Sequence, residues 1–398
     1  MEKIRAIALL SGGLDSTLAI KVAQEQGIEV EALHFVSAFC GAAIDTALVG
    51  PPRTANDLGV TVRLIDCTDT HAEVVKAPKH GYGRNMNPCI DCKIMMLRMA
   101  GEYMRQSGAR FLITGEVLGQ RPMSQRREAL RLIEKESGLE GLIFRPLSAR
   151  FLEPTIPEKE GWIDREKLPA IKGRSRKPQM ALAAGFNITD YPSPAGGCLL
   201  TDPEFAHRLR DLMAHTELTV NDVHLLKVGR HFRLDAQTKA IVGRNERENE
   251  KLFTLCHDDD LLFEMVDVPG PTTLLRSGEG WGEGARGRGG DGERGRGGEG
   301  KTGGREDGEK GRGEDAETRG QESWPVHSVH PVHLVHSVHL EHSEENVKTA
   351  AALTVLYAQG KGPMAVQVRR GKGHDTRVIE SGPAGADAAK RLIIVKIP

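Results

Sequence analysis

The stretch Ser11-Gly12-Gly13-Leu14-Asp15-Ser16 combines residue types that can hold a phosphate. It follows an apolar run, Ile4 to Leu10, and leads into Thr17–Gln26, whose spacing predicts an amphipathic helix. Strand, glycine turn and helix N-terminus make an anion site. Glycines lack Cβ atoms, so successive backbone N–H groups can converge, and the helix dipole adds partial positive charge. Ser16 can cap the first helical turn, and its hydroxyl can reach a phosphate oxygen. A carboxylate at Asp15 repels an anion unless a cation lies between them, which implies Mg²⁺. The Gly-Lys-Ser/Thr of ordinary nucleotide triphosphatase loops is missing here.

Thiols supply the second chemistry. Asn87-Pro88-Cys89-Ile90-Asp91-Cys92-Lys93 opens a helical pattern, and a helix N-terminus favours Cys89 and Cys92 as thiolates. Cys198 follows Pro194-Ala195-Gly196-Gly197, a turn that can bring backbone and thiol close to a ligand. Cys89 and Cys198 could work as a sulfur relay, one carrying a persulfide and the other resolving it. A structural zinc site would need a fourth ligand such as His80. Cys40, Cys67 and Cys256 sit within or beside apolar runs and are expected to be buried and inert.

The Ser11–Ser16 loop resembles the SGGxDS signature of the PP-loop ATP pyrophosphatases, which cleave ATP between its α- and β-phosphates. Thr114-Gly115-Glu116-Val117-Leu118-Gly119-Gln120, followed by Ser124-Gln125, resembles a stretch of 4-thiouridine synthetases, which thiolate tRNA. Asn87–Cys92 resembles the NPCxxC stretch of tRNA 2-thiouridylases, and Val242–Glu250 a block of the NFACT RNA-binding domain. These resemblances imply an adenine nucleotide alpha hydrolase-like fold that binds ATP and Mg²⁺. Nucleotide contacts fall on Ser11, Gly12, Gly13, Asp15, Ser16, His34, Gly115 and Glu116, and catalytic roles on Asp15, Cys89 and Cys198. One branch of these thiolases holds a [4Fe–4S] cluster on three cysteines with an open iron, here Cys89, Cys92 and Cys198. The implied reaction is ATP-dependent thiolation of a tRNA uridine, giving 4-thiouridine or 2-thiouridine. An RNA-binding domain ahead of the loop and a C-terminal rhodanese cysteine loop are not seen. A separate sulfur donor is therefore implied, a cysteine desulfurase-derived persulfide or sulfide. The alternatives are a PP-loop ligase or amidase acting on a small molecule, and a non-catalytic RNA-binding protein that carries ATP.

These side chains need a frame. Strands are expected at Ile4–Leu10, Val30–Val36, Val62–Cys67, Phe111–Gly115 and Leu142–Leu147, with helices at Thr17–Gln26, Thr46–Leu58, Ile90–Gln106 and Gln125–Glu136. That alternation predicts an α/β, doubly wound, parallel five-stranded sheet with ligand sites at the strands' carboxyl ends. The domain map is 1–200 for the ATP pyrophosphatase part, with 150–200 polar and carrying the third cysteine. A smaller α+β domain, RNA-binding-like, takes 201–276 plus 346–398. Within it Pro203–His215 reads as a helix, as does the segment opened by Asn245. Thr349–Gln359, Ala365–Arg369 and Leu392–Ile397 resume the pattern. Residues 277–345 hold Gly/Arg/Glu repeats and then histidine at every third position from His327 to His342, a composition that predicts a disordered insert.

The 54 Lys and Arg nearly balance the 55 Asp and Glu of the 398 residues, so an RNA surface must be local. The arginines at 126, 127, 131, 230, 233, 244 and 247, with the cluster Lys172, Arg174, Arg176 and Lys177, are its candidates. Six cysteines in a chain of this length suggest a reducing compartment rather than a disulfide scaffold. With no long apolar run for a membrane span, a cytoplasmic protein is expected.

Overall fold

The computed structural model describes residues 3–41, 58–191, 198–277, 343–358, 364–373 and 376–383. The expected helix at 46–58 (apart from Leu58), the turn at 192–197, nearly all of 277–345 and the expected strand at 392–397 lie outside them.

Strands β1 (Arg5–Leu9), β2 (Glu29–Val36), β3 (Val62–Asp66), β4 (Phe111–Ile113) and β5 (Ile143–Phe144) form one sheet in the order β3-β2-β1-β4-β5. Every pairing in it is parallel. The expected doubly wound sheet is present. Alternation along β1 sends Ala6 and Ala8 into one apolar layer and Ile7 into the other. Helices α1 (Leu14–Glu25), α2 (Thr68–Lys76), α3 (Cys89–Ser107), α4 (Arg127–Ser137) and α5 (Lys177–Gly185) flank or border the sheet. Leu18 and Ile20 of α1 join Ala183 of α5 on the first face. Leu97 and Met104 of α3 join Ile133 of α4 on the second. Each fully buried Leu or Ile of these layers contributes about 1.5–3 kcal/mol.

Helix α2 is not legible in the sequence, because Thr-Asp-Thr-His is a weak helix-forming start. The Asp66 carboxylate supplies it, accepting from Thr68 N–H at 2.9 Å and Thr68 Oγ1 at 2.6 Å. β1 is central, and the chain leaves it for β2 on one side while β4 pairs on the other. The loops after β1 and β4 therefore open onto one crevice, the switch point where parallel sheets bind ligands.

Helices α6 (Pro203–His215) and α7 (Val220–Leu226) follow. Phe205, Leu209, Leu212, Val223 and Leu226 from them bury against Phe39, Val75 and Met86 of the N-terminal part. Beyond them an antiparallel sheet has the order β11-β10-β8-β9-β7-β6. Its strands are β6 (Arg230–Arg233), β7 (Lys239–Val242), β8 (Leu261–Met265), β9 (Thr273–Arg276), β10 (Met364–Arg370) and β11 (Thr376–Ser381). Helix α8 (Glu246–Leu255), capped by Asn245 as expected, packs on one face, and α9 (Glu344–Tyr357) on the other. β8 lies before residues 278–342 and pairs with β10 after them, so that stretch interrupts one sheet domain.

Candidate active site

The loop after β1 is tied from within. Ser16 Oγ donates to the Gly13 carbonyl at 2.8 Å and accepts from Ser11 N–H at 3.2 Å. Ser16 thus does not cap α1. Gly13 occupies the cap position with no side-chain bond, which leaves the first helical N–H groups available to a ligand. Gly12 has φ +75°, a left-handed conformation that glycine adopts without strain. A Cβ at Gly13 would meet only Ser11 Oγ at 3.5 Å, so the fold does not require glycine there; the missing side chain leaves space over the nest. His34, on β2, bonds through Nδ1 to the Leu10 carbonyl at 2.7 Å and braces the residue that precedes the loop.

Asp15 stands in the first turn of α1. Its Oδ2 accepts from Gln120 Nε2 at 3.0 Å, while Oδ1 is buried with no hydrogen-bond partner. A buried carboxylate oxygen without a donor is costly, and a divalent cation is the partner such an oxygen suits. Mg²⁺ therefore fits this position.

Gly115 sits against this loop. A Cβ there would lie 2.5 Å from Asp15 C and Ser16 N, both backbone atoms. Glu116 is buried, and its carboxylate pairs with Lys93 and, at 2.9 Å, with Arg145, which also pairs with Glu134. Burial alone would raise the Glu116 pKa, but the two cations outweigh it and hold the carboxyl down at about 2. Both carboxylate oxygens are thus engaged by the protein. Lys93 directly follows Cys92, so the loop after β4 joins the nucleotide crevice to the cysteine-bearing start of α3 through Gln120–Asp15 and Glu116–Lys93. Sequence reading missed Lys93 and Arg145. Lys93 lay within the cysteine block, whereas nothing singled out Arg145.

Cys89 begins α3, and Cys92 N–H donates to the Pro88 carbonyl at 2.8 Å. Cys198 Sγ donates toward Asn87 Oδ1 at 4.0 Å, which brings the third cysteine to the Asn87-Pro88-Cys89 segment across more than a hundred residues of chain. The expectation of thiolates fails for Cys92. Burial, reinforced by Cys198 and other thiols nearby, pushes it well above the ordinary thiol range despite the helix N-terminus. Burial likewise raises Cys198 to about 11. Cys67 and Cys256 are buried as expected, but Cys40 is exposed and forms an isolated antiparallel bridge with Cys198. The apolar run that suggested burial ends at Phe39, which fills the core in its stead.

Among the described residues, no three His, Cys, Asp or Glu side chains are set to hold a metal ion. Cys89, Cys92 and Cys198 are brought near one another but do not make an assembled cluster site. His80 is no free zinc ligand: its Nε2 lies 3.2 Å from Glu136 Oε1.

Several of the expected RNA-binding arginines are engaged internally. Arg127 donates to the Phe151 carbonyl, Arg131 pairs with Glu153, Arg233 with Asp211, and Arg244 with Glu248. Arg126, Lys172, Arg174, Lys177 and Arg247 are exposed. Lys172 and Gly173 adjoin Leu118 and Gly119, where Gly173 N–H donates to the Leu118 carbonyl at 2.7 Å, so this basic run borders the crevice. Among the described residues no helix is long and apolar enough to cross a membrane.

Residues 2–150 match the family model for ThiI, described as thiamine biosynthesis protein, and residues 229–284 match that for the NFACT protein RNA binding domain. A probable tRNA sulfurtransferase of Thermococcus kodakarensis is 28% identical over 42% of this chain and 43% of its own length. One from Caldanaerobacter subterraneus is 33% identical over 36% of each chain. The chain thus spans less than half the length of these curated relatives. Among solved structures, a 4-thiouridine synthetase–RNA complex with bound ATP overlaps 46% of this chain and 51% of its own, at 24% identity and TM-score 0.29. A predicted tRNA methyltransferase subunit from Methanocaldococcus jannaschii overlaps 42% of this chain and 91% of its own, at 16% identity and TM-score 0.27. At such TM-scores neither overlap speaks to function. The family-model matches and the curated relatives bear out two of the resemblances read from the sequence, to enzymes that thiolate tRNA in the N-terminal part and to the NFACT RNA-binding domain in the C-terminal part.

Proposed function

We propose that this protein is an ATP-dependent tRNA uridine thiolase. The observation that carries the reading is the shared wall of the two chemistries. Gln120 and Glu116, from one loop, reach Asp15 on the nucleotide side and Lys93, next to Cys92, on the thiol side. A small-molecule ligase has no use for thiols joined to its nucleotide loop in this way.

A uracil carbonyl oxygen is a poor leaving group and must first be activated. Its attack on the α-phosphorus of ATP forms an adenylated base and expels pyrophosphate. The free N–H groups at the start of α1, preorganised around Gly12 and Gly13, face the charge that develops on the departing group. Asp15 would hold Mg²⁺, which supplies further neutralisation of the phosphates. The outer sulfur of a persulfide on Cys89 or Cys198, received from a separate persulfide donor whose own thiol is released, then displaces AMP from the activated carbon. Among the described residues the three thiols do not form an assembled metal site, so the thiol route is the one that carries the sulfur in this proposal. The uridine must leave its stack to reach the crevice. Exposed Arg126, Lys172, Arg174, Lys177 and Arg247 would hold tRNA phosphates.

Pyrophosphate release from ATP, measured with and without unmodified tRNA, together with mass analysis of the recovered nucleosides, tests the reading. tRNA should stimulate release, and a thiouridine should appear whose chromatographic position separates the 2-thio from the 4-thio isomer. Release indifferent to tRNA would move the assignment to a small-molecule ligase. ATP binding with no release at all would leave an RNA-binding module.

A further inference from the structure

Cys40 and Cys198 face each other across their bridge. Its hydrogen bond runs from Leu199 N–H to the Phe39 carbonyl at 3.2 Å, that is, between the residues flanking the two cysteines. Such a pair is of the non-hydrogen-bonded kind, in which opposed Cα atoms come to about 4.5 Å and the side chains lie closest. A disulfide spans Cα separations of roughly 4.4–6.8 Å, a range in which pairs of this kind fall. Both thiols are free. Cys198 is half-buried beside Asn87, while Cys40 reaches solvent on one side and is buried enough on the other to raise its thiol above the ordinary range.

We propose that Cys40 is the resolving thiol for Cys198 in the sulfur-transfer half of the reaction, an inference that rests on the thiolase reading above. The terminal sulfur of a Cys198 persulfide attacks the adenylated uracil carbon. AMP departs with the C–O bonding pair, and the base is left joined to Cys198 through an S–S bond. Cys40, giving up its thiol proton to solvent, then attacks Cys198 Sγ. The S–S bond to the base breaks, and its electron pair leaves with the base sulfur as the thiolated uridine. A Cys40–Cys198 disulfide remains, and an external dithiol reductant returns it to two thiols with two electrons. The exposed position of Cys40 is where such a reductant can reach. Cys89, which the sequence offered as the partner of Cys198, is left to receive sulfur from the donor.

Two measurements on the full-length protein decide this. In the first, the protein is oxidised with diamide, residual thiols are alkylated, and peptides are mapped without reduction. The major cross-link should join Cys40 to Cys198. Cys198 joined instead to Cys89 or Cys92, with Cys40 alkylated, overturns the pairing. In the second, wild type and Cys40→Ser are loaded with sodium polysulfide and given ATP, Mg²⁺ and unmodified tRNA without reductant. The variant should accumulate a protein–RNA adduct that dithiothreitol discharges, and most free thiolated tRNA should be lost. Equal release of free thiolated tRNA by both proteins overturns the resolving role alone. A wild type that neither releases pyrophosphate with tRNA nor thiolates it sinks the thiolase reading and the resolving role with it, while the peptide map still reports on the pairing.

Discussion

Replacing Glu116 by Gln keeps the shape of the side chain and removes its charge. In the native protein that carboxylate is shared by Arg145, which is 3% exposed, and by Lys93. The substitution leaves two inward-facing cations without it. Two routes give the cost. A carboxyl held at about 2 in place of its ordinary 4.5, at about 1.36 kcal/mol per pH unit, corresponds to about 3 kcal/mol. Breaking a buried ion pair by removing one partner costs about 3–5 kcal/mol, in agreement. Because the folded-state pKa is depressed, this stability is fully present above pH 4.5 and is lost as pH falls toward 2. Urea unfolding at pH 7 should therefore show Glu116→Gln weaker than wild type by about 3 kcal/mol with an unchanged m-value, and the gap should narrow through that acid window. A gap below about 1 kcal/mol, the size of an exposed pair, would refute the burial argument. So would a gap that is indifferent to acid.

Asp15→Ala should abolish tRNA-stimulated pyrophosphate release while moving the urea midpoint little, since removing the unpartnered buried Oδ1 offsets the loss of the Gln120 bond to Oδ2; a folded variant with wild-type release would overturn the site. Gly115→Ala drives a Cβ into the backbone of Asp15 and Ser16, so overpacking should cost about 1–3 kcal/mol and slow release severely, as unfolding and pyrophosphate assays would report. Deleting 280–340 and closing the gap with a short flexible linker should shift stability by less than about 1 kcal/mol, because closure entropy grows slowly with loop length. A large loss of tRNA affinity on that deletion would instead make the Gly/Arg tract an RNA contact. With the three thiols not set as metal ligands, protein purified without oxygen should be colourless; a brown protein with about four irons per chain would replace the thiol route by a cluster.

The parallel sheet could be read from the sequence because each strand is a short apolar run set off by helix-period segments, and β1, β2 and β4 stand where those runs predicted. The nest could be read because its chemistry is contiguous in the chain. What escaped was whatever depends on distant segments meeting. Helix α2 rests on a side chain just before it, and β8 and β9 are strands only because neighbours in the sheet take up their hydrogen bonds. Glu116 looked like a ligand because it ends a strand at the switch point, yet the fold gives both its oxygens to Lys93 and Arg145. Cys40 looked inert because it ends an apolar run, and only the return of the chain at Cys198 gives it a partner.

The position of Cys198 is itself set from both sides. Asn85 Nδ2 donates to the Thr201 carbonyl at 2.7 Å and Met86 N–H to the Leu200 carbonyl at 3.0 Å, which fastens the Cys198 segment to the chain just ahead of Cys89. Asp202 then caps α6, accepting from Phe205 N–H at 2.8 Å, so this helix starts five residues after Cys198. Farther along α6, Asp211 pairs with Arg233 at 2.6 Å and with buried Lys239 at 3.4 Å, on β6 and β7 of the C-terminal sheet. Desolvation pulls the Lys239 pKa down to about 7, against the attraction of Asp211, so Asp211 is the group that makes its charge tolerable there. Arg276 of β9 extends the same junction, bonding Asp222 of α7 and Asp260 with no exposure of its own. Charges buried this way hold one geometry firmly, since sliding the sheet against α6 and α7 would leave several of them unpaired at once. The RNA-binding-like sheet is therefore fixed to the helix that follows Cys198. Under the proposed thiolase function, an RNA seated on that sheet would meet Cys198 in a set register, without any need for the two parts to find each other on binding.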